Sequence, residues 1–175
     1  MTPSAWKRGG AGVTIRWTVA ETSLGPLLIA ATDKGLCRVA FDEDQFALAR
    51  RFPAAEIAPG GAALATLAAR VVSEVETPGR DTDLPVDVQG TAFQEAVWQA
   101  LRAIPAGEDA QLFAARRRGG QSPRGCARRE PLAVPTTSRS SSPCHRAQRT
   151  DGSMGGYAFG IDRKRALRKR EGVKD

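Results

Sequence analysis

Residues 14–42 read TIRWTVAETSLGPLLIAATDKGLCRVAFD, and this stretch decides the fold of the first part of the chain. It contains three short runs rich in Ile, Val, Leu, Trp and Thr, of which the β-branched and aromatic residues favour strands. The turn sequences SLGP and DKG separate these runs. The spacing predicts a three-stranded antiparallel meander. Cys37 alternates with apolar neighbours in the third run, so we interpret it as a small core residue.

Helical patterns follow the meander. DEDQFALARRF at residues 42–52 predicts a short helix, and ALATLAARVVSEVE at residues 63–76 repeats apolar residues at helical spacing. The next residues are rich in Pro, Gly and Asp, and we place a domain boundary in them near residue 86. Residues 1–12 are interpreted as a linker remnant that precedes a first domain over residues 13–85.

The second domain, residues 86–175, contains two helical patterns. TAFQEAVWQALRAIPAG at residues 91–107 begins with a capping-box pattern, carries an apolar stripe and stops at a Pro and a Gly. RKRALRKREG near the C-terminus predicts another short helix, with Gly172 after it.

The composition favours a soluble protein with a cytoplasmic location. No apolar run approaches the roughly 18 residues of a membrane span, and the basic N-terminus lacks the apolar region of a signal peptide. Three cysteines without a CxxC spacing argue against a disulfide framework or a cysteine-rich zinc site. Residues 1–108 hold 10 Lys and Arg against 13 Asp and Glu, whereas residues 109–175 hold 16 against 6. A polyanion partner of the second part and a solvated basic surface are both compatible with this charge.

Residues 109–142 keep neither a helical nor a strand period over 34 residues. They contain basic and serine-rich runs, namely ARRRGG, PRGCARRE and TTSRSSS. A compact domain rarely holds so long an irregular loop. Two interpretations stay open at this point: a flexible basic arm on DNA, and a segment that a working gene would not encode.

The only histidine, His145, directly follows Cys144 in SSPCHRAQRTDGSMGGYAFG, residues 141–160. A thiolate is a strong nucleophile, but a free Cys has a pKa of about 8.5, so a neighbouring base must take its proton at neutral pH. An imidazole is suited to that task. Two alternatives to this role stay open. The two side chains could simply pack in the core, or they could form the catalytic pair of a Cys-His hydrolase.

The chain resembles the O6-alkylguanine-DNA alkyltransferases, also called methylated-DNA–protein-cysteine methyltransferases. The resemblance is carried by GTAFQEAVWQALRAIPAGE, PCHR, DGSMGGYAFGIDRKRAL and the closing REG. SLGPLLIAATDKGLCRVAF is similar to the N-terminal domain of this family, and WKRGGAG is similar to the junction before the alkyltransferase half of the bacterial Ada regulators. The resemblance implies a ribonuclease-H-like α/β domain followed by a mostly helical, winged-helix-like DNA-binding domain.

This resemblance implies DNA repair by single-turnover transfer of the alkyl group from O6-alkylguanine, or from O4-alkylthymine, to Cys144. It implies that His145 takes the thiol proton through a bound water and that Glu171 orients the imidazole. Because the thioether product has no route back to a thiol, each molecule acts once. The implied partner is double-stranded DNA that contains alkylated guanine, bound by a monomer without a cofactor or metal.

The substrate-binding residues implied by the resemblance are Gly155, Gly156, Tyr157 and Arg146. The glycines and Tyr157 resemble the loop that closes over a guanine flipped out of the duplex. Tyr157 then either donates a hydrogen bond to the base or packs against it. For Arg146, a structural role that ties down local backbone is the alternative, and Asp162 is given only a surface or helix-start role.

In the family, the interval equivalent to residues 109–142 encodes the helix-turn-helix that docks on DNA, and here it does not match. Back-translation of residues 109–115 with GC-rich codons, skipping one nucleotide, can read Thr-Arg-Ser-Tyr-Ser-Gln-Leu, which fits the family. We therefore hypothesise a frameshifted segment, and we expect weak or absent DNA repair from the chain as written. The alternative function is that of an inactive or decayed alkyltransferase-like DNA-binding protein without turnover.

Overall fold

A computed structural model describes most of the first part of the chain and much of its C-terminal end. It forms two compact units that divide near residue 89. The helix predicted over residues 91–107 lies outside the described residues, and so does segment 109–142 apart from Ala110–Gln111. Among the residues that are described, no helix is long and apolar enough to cross a membrane. The described residues are 2–78, 83–87, 110–111, 144–148, 153–154 and 156–173.

The sheet of the first unit confirms the predicted meander and adds a strand to it. Strand β4 pairs parallel with β1, so the sheet is mixed, whereas the sequence predicted only antiparallel pairing. The pattern missed β4 because it has four residues, ends in Pro59 and finds its partner about forty residues earlier in the chain. The strands are β1 (Thr14–Ala20), β2 (Leu27–Thr32), β3 (Gly35–Phe41) and β4 (Glu56–Pro59), in the order β3-β2-β1-β4.

Two helices of the first unit lie where the periodicity predicts them. Helix α2 (Gln45–Arg51) begins at Asp44, whose carboxylate accepts a hydrogen bond from the backbone N–H of Ala47 at 2.9 Å. Helix α3 (Ala62–Glu76) packs against β1 and β2. Its buried residues recur at helical spacing and form part of the predicted stripe: Leu64, Ala68, Val71 and Val75.

Residues 2–12, expected as a linker remnant, pack on the first unit. They begin with helix α1 (Pro3–Lys7), and Ala5 belongs to the buried core together with Cys37. The Trp6 ring meets the Phe52 ring edge to face, with centroids 5.3 Å apart. Burial of Ala5 and the contact between Trp6 and Phe52 therefore give this short helix a defined position, which its own five residues would not hold in water.

Gly35 allows the segment before the domain boundary to lie against β3. Its φ is +142°, and a Cβ built on it would lie 2.6 Å from the carbonyl carbon and oxygen of Pro85. This close approach lets the N–H of Leu36 donate to the Pro85 oxygen at 2.8 Å, and the N–H of Asp87 donate to the Leu36 oxygen at 2.8 Å. Thr32 also donates its hydroxyl proton to the Asp87 carboxylate at 2.5 Å.

Gly35→Ala is therefore expected to lower the free energy of unfolding by about 3 kcal/mol, because strained backbone and a steric clash add up. Urea unfolding measures the change. The matched control is Gly61→Ala, since Gly61 has a negative φ of −104° and open space around it. Equal stability of the two variants would show that segment 83–87 does not pack on β3.

The second unit places three short elements of the described residues together. A 3-10 turn (Cys144–Arg146) leads directly into β6 (Ala147–Gln148), which pairs parallel with β5 (Ala110–Gln111). Helix α4 (Ile161–Arg170) contacts the 3-10 turn. This helix confirms the one predicted near the C-terminus and starts two residues earlier than RKRALRKREG suggested.

Candidate active site

The 3-10 turn places the basic side chains of His145 and Arg146 next to the C-terminal end of α4. Cys144 begins the turn, and His145 and Arg146 follow it. The backbone passes at once into β6, whose pairing with β5 fixes the direction in which the turn leaves. His145 and Arg146 retain only 12 % and 10 % of their side-chain exposure, so both side chains point into the second unit.

Glu171 caps α4 with a defined backbone geometry. The N–H of Gly172 donates to the carbonyl of Lys169, and the N–H of Val173 donates to that of Arg168, each at 3.1 Å. These two bonds form a Schellman closure, which requires a left-handed residue after the cap. Gly172 supplies it with a φ of +83°. The glutamate is therefore held at a fixed position at the end of the helix.

The carboxylate of Glu171 receives hydrogen bonds from both basic residues of the turn. Its Oε1 lies 2.7 Å from Nε2 of His145 and 2.7 Å from Nη2 of Arg146. Nε of Arg146 lies 3.0 Å from Oε1 and 2.9 Å from Oε2. The glutamate side chain has 0 % exposure. A buried carboxylate beside the negative end of a helix dipole needs such partners, because neither water nor the dipole stabilises its charge.

The electrostatics of this cluster keep Glu171 ionised. Burial on its own would raise the pKa of the carboxyl, but the hydrogen bonds from His145 and Arg146 and the charges of both outweigh it and lower the pKa to about 2. An ionised carboxylate only accepts hydrogen bonds, so Nε2 of His145 carries the proton between them. Nδ1 is then the ring nitrogen of the neutral imidazole that can accept a proton.

Cys37 lies in an environment that suppresses ionisation of its thiol, unlike that of a nucleophilic cysteine. It is 1 % exposed and its Sγ–H donates to the carbonyl of Ala30 at 3.4 Å. Burial, assisted by the charge of Asp87, raises the pKa of its thiol to about 12. Cys37 is therefore a core residue, as its alternation with apolar neighbours predicts, and it is not a candidate for thiolate chemistry.

The loop that contains Gly156 and Tyr157 has its own set of contacts. The Tyr157 and Phe159 rings meet edge to face with centroids 5.6 Å apart, and the carbonyl of Tyr157 accepts from the N–H of Gly160 at 3.2 Å. A Cβ built on Gly156 would meet no atom of the described residues within 4 Å. Packing against the described part of the chain thus does not require a glycine there. Gly155 lies outside the described residues.

Arg146 shows where reasoning from the sequence stopped short. The sequence predicts a substrate-binding role or a tie to local backbone, and that role stays a prediction. In the structure the guanidinium donates hydrogen bonds to the Glu171 carboxylate from Nε and Nη2. The two residues lie 25 positions apart in the chain, so no local sequence pattern predicts this pairing. Asp162, in contrast, has the expected role, because its side chain is 99 % exposed in the first turn of α4 and lies 3.3 Å from Arg165.

Gly172→Ala is expected to destabilise the protein by about 1–2 kcal/mol, because an L side chain is strained at positive φ. No atom of the residues that the structure describes lies within 4 Å of the new methyl group, so the expected loss comes from backbone strain. Gly172→Asn is the control, since asparagine tolerates this conformation better. Thermal unfolding compares the two variants, and a greater loss for asparagine than for alanine would contradict the Schellman closure.

Comparison with known proteins connects these residues to one family. Residues 15–88 match the family model of the 6-O-methylguanine DNA methyltransferase ribonuclease-like domain, and residues 92–173 match that of the 6-O-methylguanine DNA methyltransferase DNA binding domain. The fold agrees with the Mycobacterium tuberculosis OGT crystallised in complex with DNA, at a TM-score of 0.64 and 26 % identity over 91 % of this chain and 92 % of that one.

Two curated relatives differ in how much of their length the chain spans. The methylated-DNA--protein-cysteine methyltransferase of Methanosarcina barkeri is 30 % identical over 89 % of this chain and 96 % of its own. The bifunctional transcriptional activator/DNA repair enzyme Ada of Escherichia coli is 32 % identical over 98 % of this chain but 49 % of its own, so the chain spans about half of that relative. Taken together with the matching fold, these similarities show that the chain belongs to the O6-alkylguanine-DNA alkyltransferase family.

Proposed function

We propose that the protein repairs DNA by transferring the alkyl group of O6-alkylguanine to Cys144, once per molecule. The observation that carries this proposal is the 2.7 Å contact between Nε2 of His145 and Oε1 of Glu171, immediately after Cys144 in the chain. The name of the Methanosarcina barkeri relative, methylated-DNA--protein-cysteine methyltransferase, supports the same reaction.

The cluster supports formation of a thiolate at neutral pH. A cysteine with a pKa of about 8.5 is only about 3 % ionised at pH 7. Nδ1 of His145 is the available base, with a bound water relaying the proton from Cys144. The imidazolium that results is stabilised by the ionised Glu171 carboxylate on its other nitrogen. Arg146 keeps that carboxylate charged and in place.

The transfer balances without a cofactor. The thiolate sulfur attacks the alkyl carbon, a C–S bond forms, and the bond between that carbon and O6 breaks. Its electron pair stays on the guanine, which takes up the proton that the thiol gave to His145. The product thioether cannot lose the alkyl group to water under these conditions, so the protein is consumed in the reaction.

The substrate in this proposal is a guanine flipped out of a DNA duplex. Its O6 substituent is out of reach inside the base stack, and flipping costs a few kcal/mol, least for a badly paired base. Among the described residues, none comes within 4 Å of a Cβ built on Gly156, which supports the approach of a base to the backbone there. We assign Gly155, Gly156 and Tyr157 to this contact. The protein acts as a monomer, because one chain carries Cys144, His145 and Glu171.

A stoichiometry experiment tests the proposed function. The full chain is incubated with increasing amounts of a duplex oligonucleotide that contains O6-methylguanine. The methyl groups on the protein are counted and located by peptide mass spectrometry. When segment 109–142 is restored to the family's reading frame, we expect a plateau at one methyl group per molecule, on the peptide that contains Cys144. The chain as written is expected to approach that plateau at least tenfold more slowly. Release of more demethylated DNA than protein would instead support a hydrolase, and binding without any methyl transfer would support a DNA-binding protein without turnover.

Segment 109–142 supports the second candidate, an alkyltransferase-like DNA-binding protein that does not repair DNA. Free O6-benzylguanine tests the thiol chemistry without docking on DNA, whereas alkylated duplex needs both. We expect the chain as written to prefer the free base, and a chain with the segment restored to the family's reading frame to repair the duplex at least tenfold faster. Equal duplex repair by both chains would show that segment 109–142 as written does not impair docking on DNA.

A further inference from the structure

The face of α4 that is buried in the second unit is mostly charged. Lys164 is 1 % exposed and Arg168 is 3 % exposed, with Leu167 at 6 % beside them. Glu171, with 0 % side-chain exposure, extends the same stripe by one more turn, because positions i, i+3, i+4 and i+7 share one face of a helix. Buried lysines are rare and costly unless the ammonium group has an acceptor. Burial of Lys164 therefore requires an acceptor for its ammonium group.

An acceptor for Lys164 lies in the loop that carries Gly156 and Tyr157. Its Nζ donates a hydrogen bond to the backbone carbonyl of Met154, ten residues earlier in the chain. Met154 precedes Gly156 by two residues and Tyr157 by three. A second contact joins the same helix to the end of this loop, because Nη1 of Arg163 donates to the carbonyl of Phe159 at 3.4 Å.

Helix α4 therefore holds two parts of the proposed site at once. Glu171 at its C-terminal end holds the imidazole of His145, and Lys164 near its start holds the loop at Met154. Seven residues separate them, which is about 10 Å along the helix axis. Because a helix is rigid over that length, the distance between the proton acceptor and the loop is set by one element.

We propose that Lys164 is a positioning residue that holds the Met154 carbonyl, and with it Gly156 and Tyr157, in the conformation that accepts the purine base. This inference rests on the proposed function for its substrate and on the hydrogen bond to Met154 for its structural part. The two groups then have different roles. The cluster of His145, Arg146 and Glu171 promotes formation of the Cys144 thiolate, whereas Lys164 affects the binding of purine substrates beside it.

Lys164→Met tests the separation, since methionine has a similar length and no donor. We expect labelling of Cys144 by O6-benzylguanine to slow at least tenfold, because displaced binding groups lose the orientation of the reacting atoms. Alkylation of the same cysteine by iodoacetamide needs no purine site and is expected to change by less than about twofold. Lys164→Arg, which keeps a donor, is expected to recover part of the benzylguanine rate. Lys169→Met is the matched control on the exposed side of α4.

Hydrogen exchange gives a readout that does not depend on activity. Lys164→Met is expected to raise amide exchange in residues 153–157, with exchange in Arg165–Arg170 unchanged. If the wild type fails to label with benzylguanine, the proposed function fails, and the exchange data still test Lys164. Unchanged loop exchange, or a parallel loss with both reagents and in thermal stability, would overturn the positioning role.

Discussion

Replacing Cys144 by alanine is expected to abolish alkyl transfer, from one group per molecule to none. The carbon–sulfur bond of the product has no other place to form, because the transfer needs a thiolate beside a base and no second residue of the described site offers one. Cys144→Ser is expected to be inactive as well, since a serine hydroxyl is ionised to a far smaller extent than a thiol. Peptide mass spectrometry after incubation with O6-benzylguanine, which does not require docking on DNA, measures both variants.

Cys37→Ala is the control for this prediction. Cys37 is buried against Leu28 and Ala30, and its raised pKa keeps the thiol protonated. Its loss is expected to cost about 1 kcal/mol of stability through a small cavity and to leave the stoichiometry of transfer unchanged. An alkyl group found on any peptide of the Cys144→Ala protein would refute the assignment of the nucleophile.

Glu171→Gln is expected to have the second largest effect, on both rate and stability. Glutamine keeps the shape of the side chain but removes the charge that orients His145 and stabilises its protonated form, so labelling by O6-benzylguanine should slow by about 100-fold. The same change leaves the guanidinium of Arg146 buried without its carboxylate. Breaking one partner of a buried ion pair costs about 3 kcal/mol or more in the free energy of unfolding.

The pH dependence of stability distinguishes this charge from a simple packing effect. The pKa of Glu171 lies at about 2 in the folded protein, below its ordinary value of 4.5. A carboxyl with a lowered pKa stabilises the fold above its ordinary pKa, and this stabilisation of about 3 kcal/mol disappears as the pH falls through the folded value. The gap between wild type and Glu171→Gln is therefore expected to be widest at neutral pH and to narrow between about pH 4.5 and about pH 2.

Urea unfolding at a series of pH values measures that gap. Asp162→Asn is the matched control, because its carboxylate belongs to the same helix and is 99 % exposed. It is expected to unfold like the wild type throughout the pH range. A gap between wild type and Glu171→Gln that stays constant down to pH 2 would show that the carboxylate is not held ionised by His145 and Arg146.

Local patterns predicted much of the described fold, and contacts between distant residues produced the rest. The meander, α2, α3 and α4 follow from turn residues and periodicity, which are encoded within each element. Strand β4 and helix α1 are too short to carry such a signal. They form because β1 and Phe52 offer partners far away in the chain.

The candidate site divides in the same way. The family motif predicts Cys144, His145 and Glu171, and the structure brings the last two within hydrogen-bond distance. The motif does not show that Arg146 shares the carboxylate or that Lys164 is buried, because both facts depend on where α4 packs. The roles of Cys144, Gly155, Gly156 and Tyr157 in the reaction stay predictions.

The charged stripe of α4 bears on the order in which the elements of the second unit fold. The inner face of α4 carries the charged residues Lys164, Arg168 and Glu171. Hydrophobic collapse therefore does not favour early docking of this helix, because these groups are better solvated by water until their partners are in place. Docking of α4 then waits until the 3-10 turn and the Met154 carbonyl have taken their positions. We therefore expect the reactive centre to be completed late in folding, which keeps Cys144 of a half-formed chain from being consumed before the site is ready.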